Sequence, residues 1–510
     1  MHVSVFDVAL GATFIVVFVL LVGRPSWGRS FPPGPRPVPL LGNLHQMSAE
    51  HPWKLFRQWN TTYGDIVFLR VFNTPMLVVN SQSAARDLME KQGTKYSDRP
   101  HSTWLLQLLD WDLNIGSMPY GVMLRRNRRW LQAPLFDKLS LQQFIPMQAR
   151  TAHTLLVNLL EDPNNFWAHL HQFAGSVVLE VLYGHSVVSS DDKYLALADK
   201  VSEGVTAVTA PGIAVLDFIP ILRHLPAWFP GGSFRHLAKE TKVALWETAN
   251  TTYDLAADTN ARTADKHTII GSIIKEYKDK GELQDMKREI MSLGAGAYTA
   301  GTDTTRSTLQ SFVLAMVLHP DVLIKAQKEM DSVVGSDRLP TIEDRPSLPY
   351  LDCILKETWR WASPAPLSVP HASSSDDVYR GYYIPKGTVI VPNIWLMLRD
   401  PDDYPEPDLY IPDRFMGLSA EKAERIDPRN IVFGHGRRIC PARRFADNSV
   451  WHAMAGLVAT FDICKAKDDM GNDITPEPVF HSGLSSPPLV FQCTIKPRSA
   501  QAVELIRKVN

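Results

Sequence analysis

Near its carboxyl end the chain reads Phe433-Gly434-His435-Gly436-Arg437-Arg438-Ile439-Cys440-Pro441-Ala442. A lone cysteine is usually a small, inert hydrophobe, but these neighbours suit it to chemistry. Glycines let a loop approach a flat cofactor closely, and Arg438 offers a fixed fork of donors for a carboxylate. A helical pattern starts just after Cys440. It aims a positive helix end and free N–H groups at the sulfur, which predicts a lowered thiol pKa. Well upstream, Gly294 to Thr305 reads GAGAYTAGTDTT inside a helical run from about Asp285 to His319. A glycine inside a helix costs about 1 kcal/mol against alanine, so Gly294, Gly296 and Gly301 call for a reason. Close passage over a cofactor is one; a small-residue packing face is the other. Asp303 and Thr304 set a carboxylate beside a hydroxyl, a pair able to relay protons. Glu357 and Arg360, spaced i, i+3, put opposite charges on one helix face.

In their chain order these segments resemble the cytochrome P-450 superfamily. The cysteine loop is similar to its haem-binding pattern F-x-x-G-x-R-x-C-x-G at Phe433, Gly436, Arg438 and Cys440, with Ala442 standing where the pattern has Gly. Ala300, Gly301, Asp303, Thr304 and Thr305 match [A/G]-G-x-[D/E]-T-[T/S]. Glu357-Thr358-Trp359-Arg360 matches E-x-x-R, and Pro412-Asp413-Arg414-Phe415 resembles P-E-R-F. Leu124 to Arg128 resembles W-x-x-x-R with Leu124 replacing the Trp, so one indole donor is missing.

The resemblance implies a mainly α fold with small β-sheets, the cytochrome P-450 fold, as a single catalytic domain. Cys440 would be the thiolate ligand of a haem b iron, with no flavin in this chain. Arg128, His371 and Arg438 would hold the propionates, and Phe433 and Gly436 would shape the haem loop. Asp303 and Thr304 would deliver protons. Glu357, Arg360 and Arg414 would form a buried structural triad. A substrate pocket would be lined by Trp104, Leu108, Gly296, Ala297, Ala300, Leu367, Val369 and Leu484. The reaction implied inserts one atom of O2 into a lipophilic small molecule (a terpenoid, polyketide or aromatic secondary metabolite). Electrons would come from a separate NADPH-dependent cytochrome reductase. Arg125, Arg126, Arg129, Arg437, Arg443 and Arg444 would offer it a basic docking patch or form a plain solvated face. The chain looks most like microsomal enzymes of fungal, especially basidiomycete, secondary metabolism. Two further readings stand beside this one: a haem-thiolate isomerase or dehydratase, and a non-catalytic haem-binding protein. The intact Asp303-Thr304 pair weighs against the first, and that pair with an apolar pocket against the second.

The elements that must position these groups are legible in part. The 510 residues are 45% hydrophobic and 21% charged, with a formal net charge of -1. That is globular composition without the basic excess that recruits nucleic acid. Val3 to Val22 is apolar apart from Asp7, and twenty helical residues span about 30 Å, so residues 3–22 are expected to anchor the chain in a membrane. Arg24, Arg29 and Arg36 follow it and put the bulk of the chain in the cytosol; with the resemblance, this implies single-pass insertion in the endoplasmic reticulum membrane. Residues 23–39 form a proline-rich hinge, and 40–510 the catalytic domain. Strands are expected at Asp65–Phe72 and Met76–Asn80, and helices dominate from about Leu141. The apolar segment Gly204 to Gly232 either dips into the membrane surface or forms a packed helix pair. Cys353, Cys464 and Cys493 match no chemical motif and are expected to be packing residues.

Overall fold

Ile66-Val67-Phe68-Leu69-Arg70-Val71 is apolar at nearly every position, the mark of a strand covered on both faces. In the computed structural model, which describes residues 30–189, 191–209, 211–262 and 268–508, this run is β1 (Ile66–Val71). It pairs antiparallel with β2 (Thr74–Val79), Ile66 opposite Val79 and Leu69 opposite Met76. Alternation sends Ile66, Phe68, Leu77 and Val79 into one apolar cluster and Val67, Leu69, Val71 and Val78 into another. Two distant segments complete the sheet: β3 (His371–Ala372) and β4 (Val389–Pro392), in the order β1-β2-β4-β3, with β4 parallel to β2. The two expected strands are therefore present, paired as a hairpin, and the sheet carries His371 on its last strand.

Most of the remaining chain is helical, and the largest apolar cluster surrounds one long helix. The helices that position the site are α1 (Val122–Phe136), α2 (Phe166–Tyr183), α3 (Lys193–Thr206), α4 (Leu283–Leu318), α5 (Pro349–Trp361) and α6 (Arg443–Thr460). Helix α4 stops at Leu318 because His319 precedes Pro320, and a residue before proline is pushed out of the helical region. Helix α2 stops at Gly184, which takes φ +77° and returns its N–H to the Glu180 carbonyl. Helix α5 begins on Pro349, whose missing N–H costs nothing in the first turn.

The α4 glycines serve helix packing more than cofactor clearance. A Cβ on Gly294 would press on the Tyr183 hydroxyl, and one on Gly301 would sit 2.9 Å from Val178 Cγ2, so both glycines face α2. Gly296 faces Trp111 and Asn114 instead.

Among the described residues no single helix is long and apolar enough to cross a membrane. The expected anchor, 3–22, lies outside the described residues, as do residues 23–29 of the hinge. In the apolar 204–232 segment, Ile213 and Leu216 are buried, whereas Ile221 and Trp228 are exposed, so packed and solvent-facing parts coexist. The cysteine expectation needs one correction. Cys353 is buried and Cys493 half-buried, but Cys464 is exposed on the Phe461–Lys467 strand, because alternation turns it outward between Ile463 and Lys465.

Candidate active site

The cysteine loop is folded back on itself. The Cys440 N–H donates to the Phe433 carbonyl at 2.8 Å, and the Phe433 ring meets Trp359 edge-on at 5.3 Å. Gly436 takes φ +58°, and any side chain there would collide with the Met89 carbonyl. Its smallness therefore seats the loop on the Arg86–Lys91 segment, where the sequence had suggested room for a cofactor. The Ala442 N–H is directed at the half-buried sulfur of Cys440, just ahead of α6. Burial nonetheless pushes the thiol up, outweighing that N–H and the Arg128 and Arg443 guanidiniums, which pull it down. This corrects the expected lowered pKa: the helix end alone does not ionise the sulfur. A coordinated metal cation would, since coordination deprotonates a thiol outright.

Beside the loop stands a cluster of basic side chains, Arg438 and His371 buried and Arg99 and Arg128 half-buried. Arg438 donates to the carbonyls of Ser97 at 2.8 Å and Met118 at 2.7 Å, and reaches that of Ile115 at 3.4 Å. Burial pulls it down to about 10. Arg128 projects from α1 and donates to the Ile439 carbonyl, one residue from Cys440, at 2.8 Å. Leu124, on the same helix, is buried in the place of the missing Trp. His371 is buried, with Nδ1 2.7 Å from the Tyr96 carbonyl; burial and the nearby Arg99 push it down, so the imidazole is neutral. Arg99 is the member that sequence reasoning missed. It donates to Gly116, Val369 and Pro370 carbonyls at 2.7, 2.6 and 2.7 Å, and burial, Arg438 and Arg128 together lower it strongly. No local pattern around Asp98-Arg99-Pro100 signals this; the cluster exists only after folding. Of carboxylates, Asp98 alone acts on Arg99 and Arg438. Three guanidiniums against one carboxylate leave two positive charges, which is an incomplete site without an anion.

Helix α4 supplies the other wall. It is buried over most of its length, yet Ala297, Ala300 and Thr304 keep accessible surface, with Ala300 the most open. Their i, i+3, i+7 spacing makes them one strip. The Thr304 hydroxyl donates to the Ala300 carbonyl at 2.9 Å and lies on this strip. Asp303 does not. Its carboxylate turns toward α2 and α3, accepting from the Ser202 hydroxyl and from Arg306 at 3.2 Å. Burial pushes it up against the opposing pull of Arg306. Arg306 lies 3.9 Å from the half-exposed Asp199, which pairs with His171 at 3.1 Å. The pair expected to act side by side is thus split, because neighbouring helix positions point about 100° apart. The strip and the cation cluster meet at Ile115: its carbonyl is held by Arg438, and its side chain lies 3.9 Å from the Cβ direction of Gly296.

The Cytochrome P450 family model matches residues 32–494. The chain belongs to the cytochrome P450 family. Cytochrome P450 monooxygenase 176 of Postia placenta is 42% identical over 98% of this chain and 96% of its own length. Cytochrome P450 monooxygenase COX2 of Coprinopsis cinerea is 34% identical over 95% and 92%, and claR of Ampulloclitocybe clavipes 34% over 100% and 93%. This protein is accordingly a cytochrome P450 monooxygenase, an enzyme whose family implies a haem with thiolate-ligated iron. Its residues fit that group. A free cysteine sulfur faces the loop, two uncompensated positive charges match the two propionates of a haem, and a small-residue strip leaves space.

A buried ion-pair triad supports this site from α5. Glu357 receives two hydrogen bonds from Arg360, at 2.7 and 2.8 Å, and a third from Arg414 at 3.1 Å, with no side-chain surface exposed on Glu357 or Arg360. Arg360 also binds the Pro407 and Leu409 carbonyls, and Arg414 that of Pro405, so α5 is tied to the 398–415 meander. Among the expected pocket residues, Leu108, Ala297, Ala300, Leu367, Val369 and Leu484 keep surface. Trp104 is fully buried with its indole on the Gly204 carbonyl at 3.0 Å, and Gly296 is buried, so neither offers open wall. In the arginine patch, Arg125, Arg129, Arg437 and Arg444 are exposed and Arg443 half-buried over Phe136. Arg126 is not part of it: its guanidinium pairs with the buried Glu289.

Proposed function

We propose that this enzyme inserts one oxygen atom of O2 into a lipophilic small molecule such as a terpenoid, polyketide or aromatic secondary metabolite, using electrons from a separate NADPH-dependent cytochrome reductase. The observation that carries this reading is the apolar strip Ala297–Ala300 with the Thr304 hydroxyl at its end, across Ile115 from the cation cluster. A haem b with Cys440 as its thiolate ligand would supply oxygen activation. Arg99, Arg128, His371 and Arg438 hold its propionates, and Phe433 and Gly436 set the loop that presents the sulfur. Leu108, Ala297, Ala300, Leu367, Val369 and Leu484 exclude water and hold the apolar substrate. Thr304 moves the last proton. Asp303 acts behind it, its carboxylate held by Arg306, which also lies beside the half-exposed Asp199 that pairs with His171. Arg125, Arg129, Arg437, Arg443 and Arg444 receive an acidic electron donor.

The same reading places residues 3–22 as a single-pass anchor in the endoplasmic reticulum membrane, 23–39 as a hinge and 40–510 as a cytosolic catalytic domain. Exposed apolar side chains support it. Leu40, Leu41, Ile221 and Trp228 are exposed. The Leu41 carbonyl accepts from the Phe72 N–H, and the Phe72 ring lies tilted 5.9 Å from that of Phe218, so the two segments share one side of the domain.

Thr304→Ala tests the proposal. Alanine is the better helix former, so folding and haem content should survive. With a substrate found by its shift of the ferric haem spectrum, NADPH consumption should continue while product per NADPH falls and hydrogen peroxide rises. An unchanged ratio removes Thr304 from the reaction, and turnover without oxygen or NADPH favours an isomerase.

A further inference from the structure

Asn114 sits at the edge of the α4 strip on the 111–118 turn. Its carboxamide is oriented, since the Gly116 N–H donates to Oδ1 at 2.7 Å and an N–H can only face the oxygen. That leaves Nδ2 directed at α4, 3.4 Å from the Cβ direction of Gly296. Among the described residues nothing accepts from this Nδ2, and it is not sealed away from solvent. Its neighbours are Trp111, whose own indole N–H is spent on Ser292 at 2.8 Å, and Ile115. On the helix, Gly296 and Ala300 are adjacent at i, i+4, so the amide borders the open part of the strip.

The turn that carries the amide is held from behind. Met118 N–H donates to the Asn114 carbonyl at 2.8 Å, Arg99 grips the Gly116 carbonyl at 2.7 Å, and Arg438 grips those of Ile115 and Met118. A donor fixed in this way loses little freedom when it binds. In an otherwise apolar wall of Leu108, Ile115, Ala297, Ala300, Leu367 and Val369, a fixed N–H is the feature that discriminates.

We propose that the Asn114 side-chain amide is the substrate-reading group of this site, donating a hydrogen bond to an oxygen acceptor, a carbonyl above all, on an otherwise lipophilic molecule lying along Ala297 and Ala300. The proposal rests on the reading of that strip as the place of oxidation. It narrows the substrate class from lipophilic to lipophilic with an oxygen already installed. A preceding reaction that leaves a carbonyl, hydroxyl or ether oxygen on the skeleton must therefore supply the substrate.

Matched pairs of ligands test it on the ferric holoenzyme: adamantane with 2-adamantanone, limonene with carvone, and androstane with androstan-3-one. Dissociation constants are read from the displacement of the Soret band in wild type, Asn114→Leu and Asn114→Asp. Asn114→Asp keeps an oxygen for the Gly116 N–H while removing the amide donor, so the turn survives even if Asn114→Leu disturbs it. The hydrocarbon-to-ketone ratio cancels differences in hydrophobicity. It should fall roughly five-fold in both variants for the pairs that bind, the size of one neutral hydrogen bond. A ratio unchanged from wild type overturns the role of Asn114 while leaving the apolar pocket standing. No displacement by any of these ligands in a haem-loaded wild type overturns both.

Discussion

Arg99 shows how a single side chain completes a site. Three backbone carbonyls take its donors, and its charge is opposed by Arg438 and Arg128 with only Asp98 in relief. Such a residue is stable only beside an anion. Arg99→Leu should therefore leave a folded chain that releases haem to apomyoglobin about ten-fold faster than wild type, a loss in the range of one charge-assisted hydrogen bond. Unaltered transfer kinetics would separate Arg99 from the propionates. The cysteine and its loop were legible in the sequence because Phe433, Gly436, Arg438 and Cys440 lie within one short segment. Arg99 and Asn114 were not, since their meaning comes from Val369, Pro370 and Gly296, which are far from them in sequence and near only after folding. Asp303 and Thr304 read as a pair in sequence, and helix geometry divides them.

At the scale of elements, the junction between α5 and the meander depends on Glu357. Its carboxylate is the shared acceptor for Arg360 and Arg414 and also takes the Ile411 N–H at 2.7 Å. Removing one partner of a buried ion pair strands the others, at a cost of about 3–5 kcal/mol. Glu357→Ala should accordingly yield little haem-loaded protein, measured as haem per chain; near-normal loading would contradict the structural role. Helix α6 carries a second buried polar group. His452 has its Nε2 unpartnered, and burial pushes its imidazole from 6.5 down to about 4. The folded state thus refuses a proton that the unfolded chain accepts. The stability this histidine contributes is full above about pH 6.5 and is lost as pH falls toward 4. Between pH 7 and pH 4.5, wild type should lose about 2 kcal/mol more than His452→Asn in urea unfolding followed by tryptophan fluorescence; parallel losses would deny the effect. Local pattern gave the β1 and β2 strands and the reach of α4 to within two residues at either end. It could not give the seating of β3 and β4, which is set by the long-range pairing of β4 with β2 and of β3 with β4 rather than by local pattern.

For the whole molecule, Leu41 and Trp228 are exposed apolar side chains, and the Phe72–Phe218 contact brings the Leu41–Phe72 segment against the one that leads to Trp228. A chain beginning at residue 30 should still bind phosphatidylcholine–phosphatidylserine vesicles in flotation. Trp228→Glu, which removes a side chain 81% exposed and packed against little, should weaken that binding about ten-fold without changing haem content. Equal flotation would restrict membrane contact to the anchor. The central claim, however, concerns the iron: Cys440 is the ligand that makes this fold a haem-thiolate enzyme. Its most direct test is the absorption spectrum of the dithionite-reduced protein under carbon monoxide, recorded for wild type and Cys440→Ser. The account predicts a strongly red-shifted Soret band in wild type and its loss in the variant. Retention of that band without the Cys440 sulfur would contradict it, moving the thiolate to Cys353, Cys464 or Cys493.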